Sequence, residues 1–110
     1  MYSIAFIFEP GHYDNEFYQL DAEIEQFAES LSGFMGKETW QSQDGKLFNS
    51  TYYWRDEKCI KEFSTHPTHI KAKQQYSKWY NGYQVVISKV ERSYGDGGIT
   101  HITPNSRENS

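Results

Sequence analysis

Phe17, Leu20, Ile24, Phe27, Ala28 and Leu31 recur at the spacing of one helical face, and the residues between them are mostly polar or acidic. The spacing predicts an amphipathic helix that must bury this stripe against a neighbouring element. Asp14 stands where an N-cap belongs, with acids enriched near the helix start as the helix dipole favours. Gly33 is expected to stop the helix by adopting a left-handed conformation.

Strand-like segments surround this helix. Ser3 to Phe8 is a short β-branched and aromatic run closed by Glu9, Pro10 and Gly11, the pattern of a buried strand ending in a turn. Phe34 to Ser42 and Lys46 to Trp54 flank Asp44-Gly45, which predicts a hairpin closed by a type I′ turn. In its second arm Phe48, Ser50, Tyr52 and Trp54 point one way, and Asn49, Thr51 and Tyr53 the other. Asp56 is placed to cap a helix through Cys59, Ile60 and Phe63, and Pro67 opens a continuation from Thr68 to about Tyr80 after a kink or restart near His66. Gly82 is expected to end that helix, and Tyr83 to Tyr94 to form the last strand. The order β-α-β-β-α-β is the split βαβ of the ferredoxin-like α+β class, an antiparallel sheet with helices on one face. Its other face stays bare unless a second chain covers it, so the pattern predicts a homodimer through the sheet face.

Residues 1 to 94 therefore form one domain, and residues 95 to 110 a polar tail expected to be mobile, in which Ile99 to Thr103 is a candidate short strand. Aromatics make up 17% of the 110 residues against 36% for all hydrophobics, and Tyr and Trp suit a pocket or interface better than a dry core. Cys59 is the single cysteine, which excludes an intrachain disulfide and a metal-thiolate cluster and points to a reducing, cytoplasmic setting. The apolar run from Tyr2 to Phe8 lacks a basic flank and reads as neither a signal peptide nor a membrane span. Residues 1 to 36 hold seven acids and no Lys or Arg, so with a net charge of −4 the remainder carries +3. Its cations are scattered among Asp56, Glu57 and Glu62, which argues against nucleic acid.

Taken together, Tyr52-Tyr53-Trp54-Arg55-Asp56-Glu57, His66-Pro67-Thr68-His69, Trp79-Tyr80 and Val90-Glu91-Arg92-Ser93-Tyr94 resemble the antibiotic biosynthesis monooxygenase (ABM) superfamily. The resemblance is closest to small uncharacterised bacterial members with a strand-ending Tyr-Trp, a His-x-x-His helix and a terminal Val-Glu-Arg strand. Gly33-Phe34-Met35-Gly36 resembles that group's entry into the second strand, with Ser32 where Pro is common. The match spans about residues 3 to 94. It implies a dimeric α/β barrel, a pocket between sheet and helices in each chain, and no flavin, nicotinamide or metal in the oxidising members. Such enzymes let the deprotonated substrate itself react with oxygen, the protein supplying a base and stabilisation of an enolate or phenolate.

Two departures temper what is carried over. Of the four pocket residues of quinone-forming members only the Trp is matched, by Trp54; the other positions hold Ser50, Ile60 and Gln74. In the haem-degrading branch the corresponding positions hold Phe6 or Ile7, Phe63 and Lys73, so the axial ligand is missing.

Trp54 is either a pocket wall whose indole N–H orients a substrate oxygen or a core aromatic packed on Phe63. His66 and His69 share a helix face with Lys73, Tyr76 and Tyr80, a face able to present a general base; otherwise His66 caps the restarted helix and His69 packs at its edge. As a metal pair they lack a third ligand. Ser50, Tyr52, Phe63 and Tyr76 are expected to contact a small hydrophobic or aromatic ligand. Arg92 is a candidate anion holder or interface ion pair, and Cys59 reads as buried rather than reactive. The leading expectation is a cofactor-independent monooxygenase of a small phenolic or enolisable substrate. A non-enzymatic dimeric ligand-binding or stress-related protein is the alternative, and a haem-binding protein the third.

Overall fold

Asp14 and Asp56 do what their positions predict. In a computed structural model, which describes residues 1–107, the Asp14 Oδ1 accepts from the Phe17 amide at 2.9 Å and Asp56 Oδ1 from the Cys59 amide at 3.0 Å. Each satisfies an orphan amide at a helix start. Chain order is β1 (Tyr2–Pro10), α1 (Asn15–Ser30), β2 (Phe34–Gln41), β3 (Phe48–Trp54), α2 (Glu57–Ser64), α3 (Pro67–Gln74), α4 (Tyr76–Trp79) and β4 (Tyr80–Lys89). The strands form one antiparallel sheet in the order β2-β3-β1-β4. The α+β, ferredoxin-like fold expected from the sequence is thus present. No helix among the described residues is long and apolar enough to cross a membrane.

Two apolar clusters fasten the helices to the sheet. Ala28, Trp54, Cys59 and Phe63 bury the C-terminal half of the α1 stripe against β3 and α2. Phe17 and Leu20 meet Trp79, whose Nε1 donates to the Asp14 carboxylate at 3.1 Å, so one cap secures both α1 and α4. The second helical region breaks twice, at Thr65 to His66 and at Gln75, and it ends at Trp79 rather than at Gly82. Gly82 lies inside β4 opposite Glu9, and the strand stops at Lys89, short of the expected Tyr94. The reason is register: Tyr80 already pairs with Pro10, so β1 recruits the chain into the sheet two residues before Gly82.

Two glycine-related expectations change as well. Gly33 has no left-handed backbone; α1 ends at Leu31, which is extended at φ −85°. Space is what excludes a side chain there, because a Cβ would stand 2.1 Å from the Cys59 Sγ. The hairpin turn is not type I′, which needs positive φ at both central residues: Gly45 at φ 76° is left-handed, and no non-glycine residue among the described ones is. Instead Ser42 accepts from the Gly45 amide at 2.9 Å and donates to the Leu47 carbonyl at 2.8 Å, while Asp44 Oδ1 accepts from the Lys46 amide at 3.0 Å. Where β2 enters the sheet, Phe34 pairs with Trp54 but Gly36 with Tyr53, a bulge that spends one extra residue, Met35.

The segment after β4 forms no strand at Ile99 to Thr103. It returns across the face of the sheet opposite the helices, where His101 Nε2 meets Glu38 Oε2 at 2.8 Å and Tyr53 donates to Glu38 Oε1 at 2.7 Å. Ile102 sits over Gly36. Burial, then the bond to Glu38, pushes the Tyr53 phenol up to about 12. Burial alone would raise the Glu38 carboxyl, but bonds from Tyr53 and His101 outweigh it and hold it low. In a Glu38→Ala variant, amide exchange at Thr103 should accelerate roughly fivefold, the equivalent of about 1 kcal/mol. Unchanged exchange would mean the segment is held by Ile102 instead.

Candidate functional site

The sheet face under the helices carries rows of side chains set by register. One row is Lys37, Tyr52, Ile4 and Ile87; the next is Thr39, Ser50, Phe6 and Val85; the third is Gln41, Phe48, Phe8 and Tyr83. Phe8 stacks on Phe48 at 5.7 Å, and Tyr80 stands edge-on to Phe6 and Phe8 at 5.4 and 5.2 Å. Val85 and Ile87 remain 42% and 61% exposed, so the helices leave the β4 side of this face open. The result is an aromatic layer on the sheet, left uncovered toward β4. Its polar groups are the Ser50 and Thr39 hydroxyls, 3.2 Å apart, and the Tyr52 and Tyr80 phenols. Burial raises the pKa of both phenols, with Lys37 partly offsetting the effect at Tyr52, and Tyr13, Asp21 and Tyr52 adding to it at Tyr80. An apolar surface with a few converging polar groups is the usual lining of a small-molecule site.

At the β2 end, Lys37 pairs with Glu25 of α1 and lies 5.3 Å from the Tyr52 ring centroid. Burial works to lower the Lys37 pKa, but the bond to Glu25 and the neighbouring negative charge raise it overall. Asp21 is raised by burial, partly offset by Lys37.

The residues singled out in the sequence separate into groups. Trp54, Phe63 and His69 come together, but as a filled core: Trp54 is fully buried, its ring 5.0 Å from Phe63, and His69 stands edge-on to Phe63 at 4.7 Å. Trp54 Nε1 and His69 Nδ1 are buried and have no hydrogen-bond partner among the described residues. His66 caps α3, its Nδ1 accepting from the Thr68 amide at 3.2 Å, and its ring lies 3.9 Å from that of Phe27. Ser50 and Tyr52 lie on this sheet face, whereas Tyr76 packs on Tyr83 at 4.8 Å beside the exposed β4 side. Arg92 lies beyond β4, over the Tyr94 ring at 5.3 Å. Cys59 is buried, and burial followed by Asp56 raises its thiol pKa.

Burial, then Lys73 and His66, lowers the His69 pKa to about 4. The folded value lies below the unfolded one, so the stability linked to His69 is complete above about pH 6.5 and is lost as pH falls toward 4. The loss should reach about 2 kcal/mol after allowance for partial exposure. Urea denaturation at pH 7 and pH 4.5 should show this difference in the native chain and a smaller one in His69→Leu. Equal slopes in both would remove His69 as the cause.

No family model matches the chain. It is similar to the uncharacterised protein YqjZ of Bacillus subtilis, 27% identical over 92 residues, which cover 83% of this chain and 80% of that protein. Among solved structures it is similar to SnoaB of Streptomyces nogalater, a cofactor-independent oxygenase, with a TM-score of 0.65 at 12% identity, covering 84% of this chain and 94% of that one. A Deinococcus radiodurans protein proposed to be an antibiotic biosynthesis monooxygenase gives 0.69 at 12% identity, covering 89% and 100%. A dabb family protein of Mesorhizobium loti with a ferredoxin-like fold gives 0.56 at 11%, covering 81% and 95%. These likenesses show a shared fold. Within it, sequence reasoning missed Lys37, Asp21 and Tyr80. Tyr80 lay in a segment read as helix, and the inward turn of Lys37 depends on the bulge at Phe34 to Gly36.

Proposed function

We propose that the chain binds a small phenolic or enolisable aromatic molecule between sheet and helices and oxidises it with molecular oxygen, without a resident cofactor. The observation carrying this reading is the aromatic sheet face under the helices, built from Phe6, Phe8 and Phe48 and set with the hydroxyls of Ser50, Tyr52 and Tyr80. The fold shared with the oxygenase SnoaB supports it. In such a reaction the ionised substrate passes an electron to oxygen, and the resulting radicals combine at carbon. Loss of water then leaves a carbonyl, so a CH2 group and one O2 become C=O and one H2O. The protein's part is to desolvate, orient and hold the ionised form. As part of the same reading, two chains pair through the sheet face opposite the helices, which bears Ala5, Ile7, Val86 and a Trp40 that is 68% exposed.

A second reading, a ligand-binding protein without catalysis, is favoured by the two histidines: His66 is engaged as a cap, and His69 is too weak a base near neutral pH. Oxygen uptake with dihydroxynaphthalenes and anthrones, run beside binding by tyrosine and tryptophan fluorescence, separates the two. Uptake in step with substrate loss is expected. Binding without uptake for every compound would leave only the second reading.

A further inference from the structure

We infer that the Lys37 ammonium and the Tyr52 hydroxyl together grip the ionised oxygen of a phenolic or enolic ligand at the β2 end of the sheet face under the helices, an inference that rests on the aromatic-ligand reading above. In regular alternation from Phe34, which pairs with Trp54, Lys37 would fall on the opposite face of the sheet. The bulge at Phe34 to Gly36, with Gly36 at φ 144°, reverses the parity and turns Lys37 inward opposite Tyr52. An ammonium has three donors. One goes to Glu25, and the Nζ lies 5.3 Å from the Tyr52 ring centroid, so further donors remain on the side of Tyr52. The Tyr52 hydroxyl carries a hydrogen to donate, and its partly buried ring lies in the row beside Ser50 and Phe6.

Two donors therefore converge where the aromatic layer ends. The charged and titratable groups facing this point are Asp21 and Glu25 from α1, Tyr52 from β3 and Tyr80 at the start of β4, with Tyr13 beyond it. Glu25 keeps Lys37 protonated and fixes its direction. The arrangement selects aromatic molecules with an acidic hydroxyl over unsubstituted ones and favours their ionised form in the complex.

The probe is 2-naphthol, whose absorbance and emission distinguish phenol from phenolate. Titration of the bound probe with pH should show its ionisation constant raised about tenfold or more by the native protein, the effect of a cation within a few ångströms. Lys37→Met should abolish that shift, Lys37→Arg should keep most of it, and Tyr52→Phe should lose part, with near-UV circular dichroism confirming that each variant is folded. Binding with the same ionisation constant in the native protein and Lys37→Met overturns the Lys37 assignment while leaving the aromatic-ligand reading intact. Failure of the native protein to bind 2-naphthol overturns both.

Discussion

A Trp54→Ala variant is expected to lose about 3–5 kcal/mol of stability, the cost of emptying a large buried aromatic site. Trp54 ends β3 with no exposed surface, paired with Tyr2 of β1 and with Phe34 of β2, and its ring lies 5.1 Å from Phe34 and 5.0 Å from Phe63 of α2. Truncation therefore removes the contact that joins three strands to the helix layer. Trp54→Phe separates packing from the indole N–H, which has no partner among the described residues. It should cost only about 1–2 kcal/mol, because a ring remains and an unsatisfied donor is lost. Denaturation in urea, with midpoint and slope both fitted, checks the pair. A Trp54→Phe loss as large as that of Trp54→Ala would show that the N–H has an essential partner, and the reading of Trp54 as core would fall.

Gly33→Ala should cost about 3 kcal/mol, at the upper end for overpacking, although alanine is a better helix former and Gly33 needs no unusual backbone angle. The added carbon would lie 2.1 Å from the Cys59 Sγ and 2.9 Å from its Cβ. Retreat is blocked on the other side, since the Gly33 carbonyl accepts from the Arg55 amide at 2.8 Å. Cys59→Ala removes the sulfur alone. The Gly33→Ala/Cys59→Ala double variant should thus be more stable than the sum of the two single losses by about 1–2 kcal/mol, a coupling expected only for side chains in contact. Strictly additive losses would remove the steric explanation.

Local signals in the chain proved readable where their causes are local. The stripe from Phe17 to Leu31 and the caps Asp14 and Asp56 depend on residues within one or two helical turns, and each appears as expected. His66 reads from sequence as either a base or a cap, and the structure shows the capping bond. The boundaries of β4 were misplaced because Tyr80 is drawn into the sheet by Pro10, far away in sequence. The candidate site was half legible. Ser50 and Tyr52 follow from strand alternation, but Tyr80, Asp21 and Lys37 do not, since each gains its place through a different element.

By itself, the order of helical and alternating patterns determined a βαββαβ chain with helices on one sheet face, because a period of 3.6 or of 2 is a property of a few neighbouring residues. Tertiary structure alone decided which way Lys37 points, why position 33 must be glycine, and that Trp54 and His69 both pack on Phe63. A bulge exists only between two paired strands, a clash only between two packed elements, and burial only when every covering side chain is in place. None of these is encoded at one position. Trp79 meeting Asp14 across 65 residues is the same lesson in a single hydrogen bond.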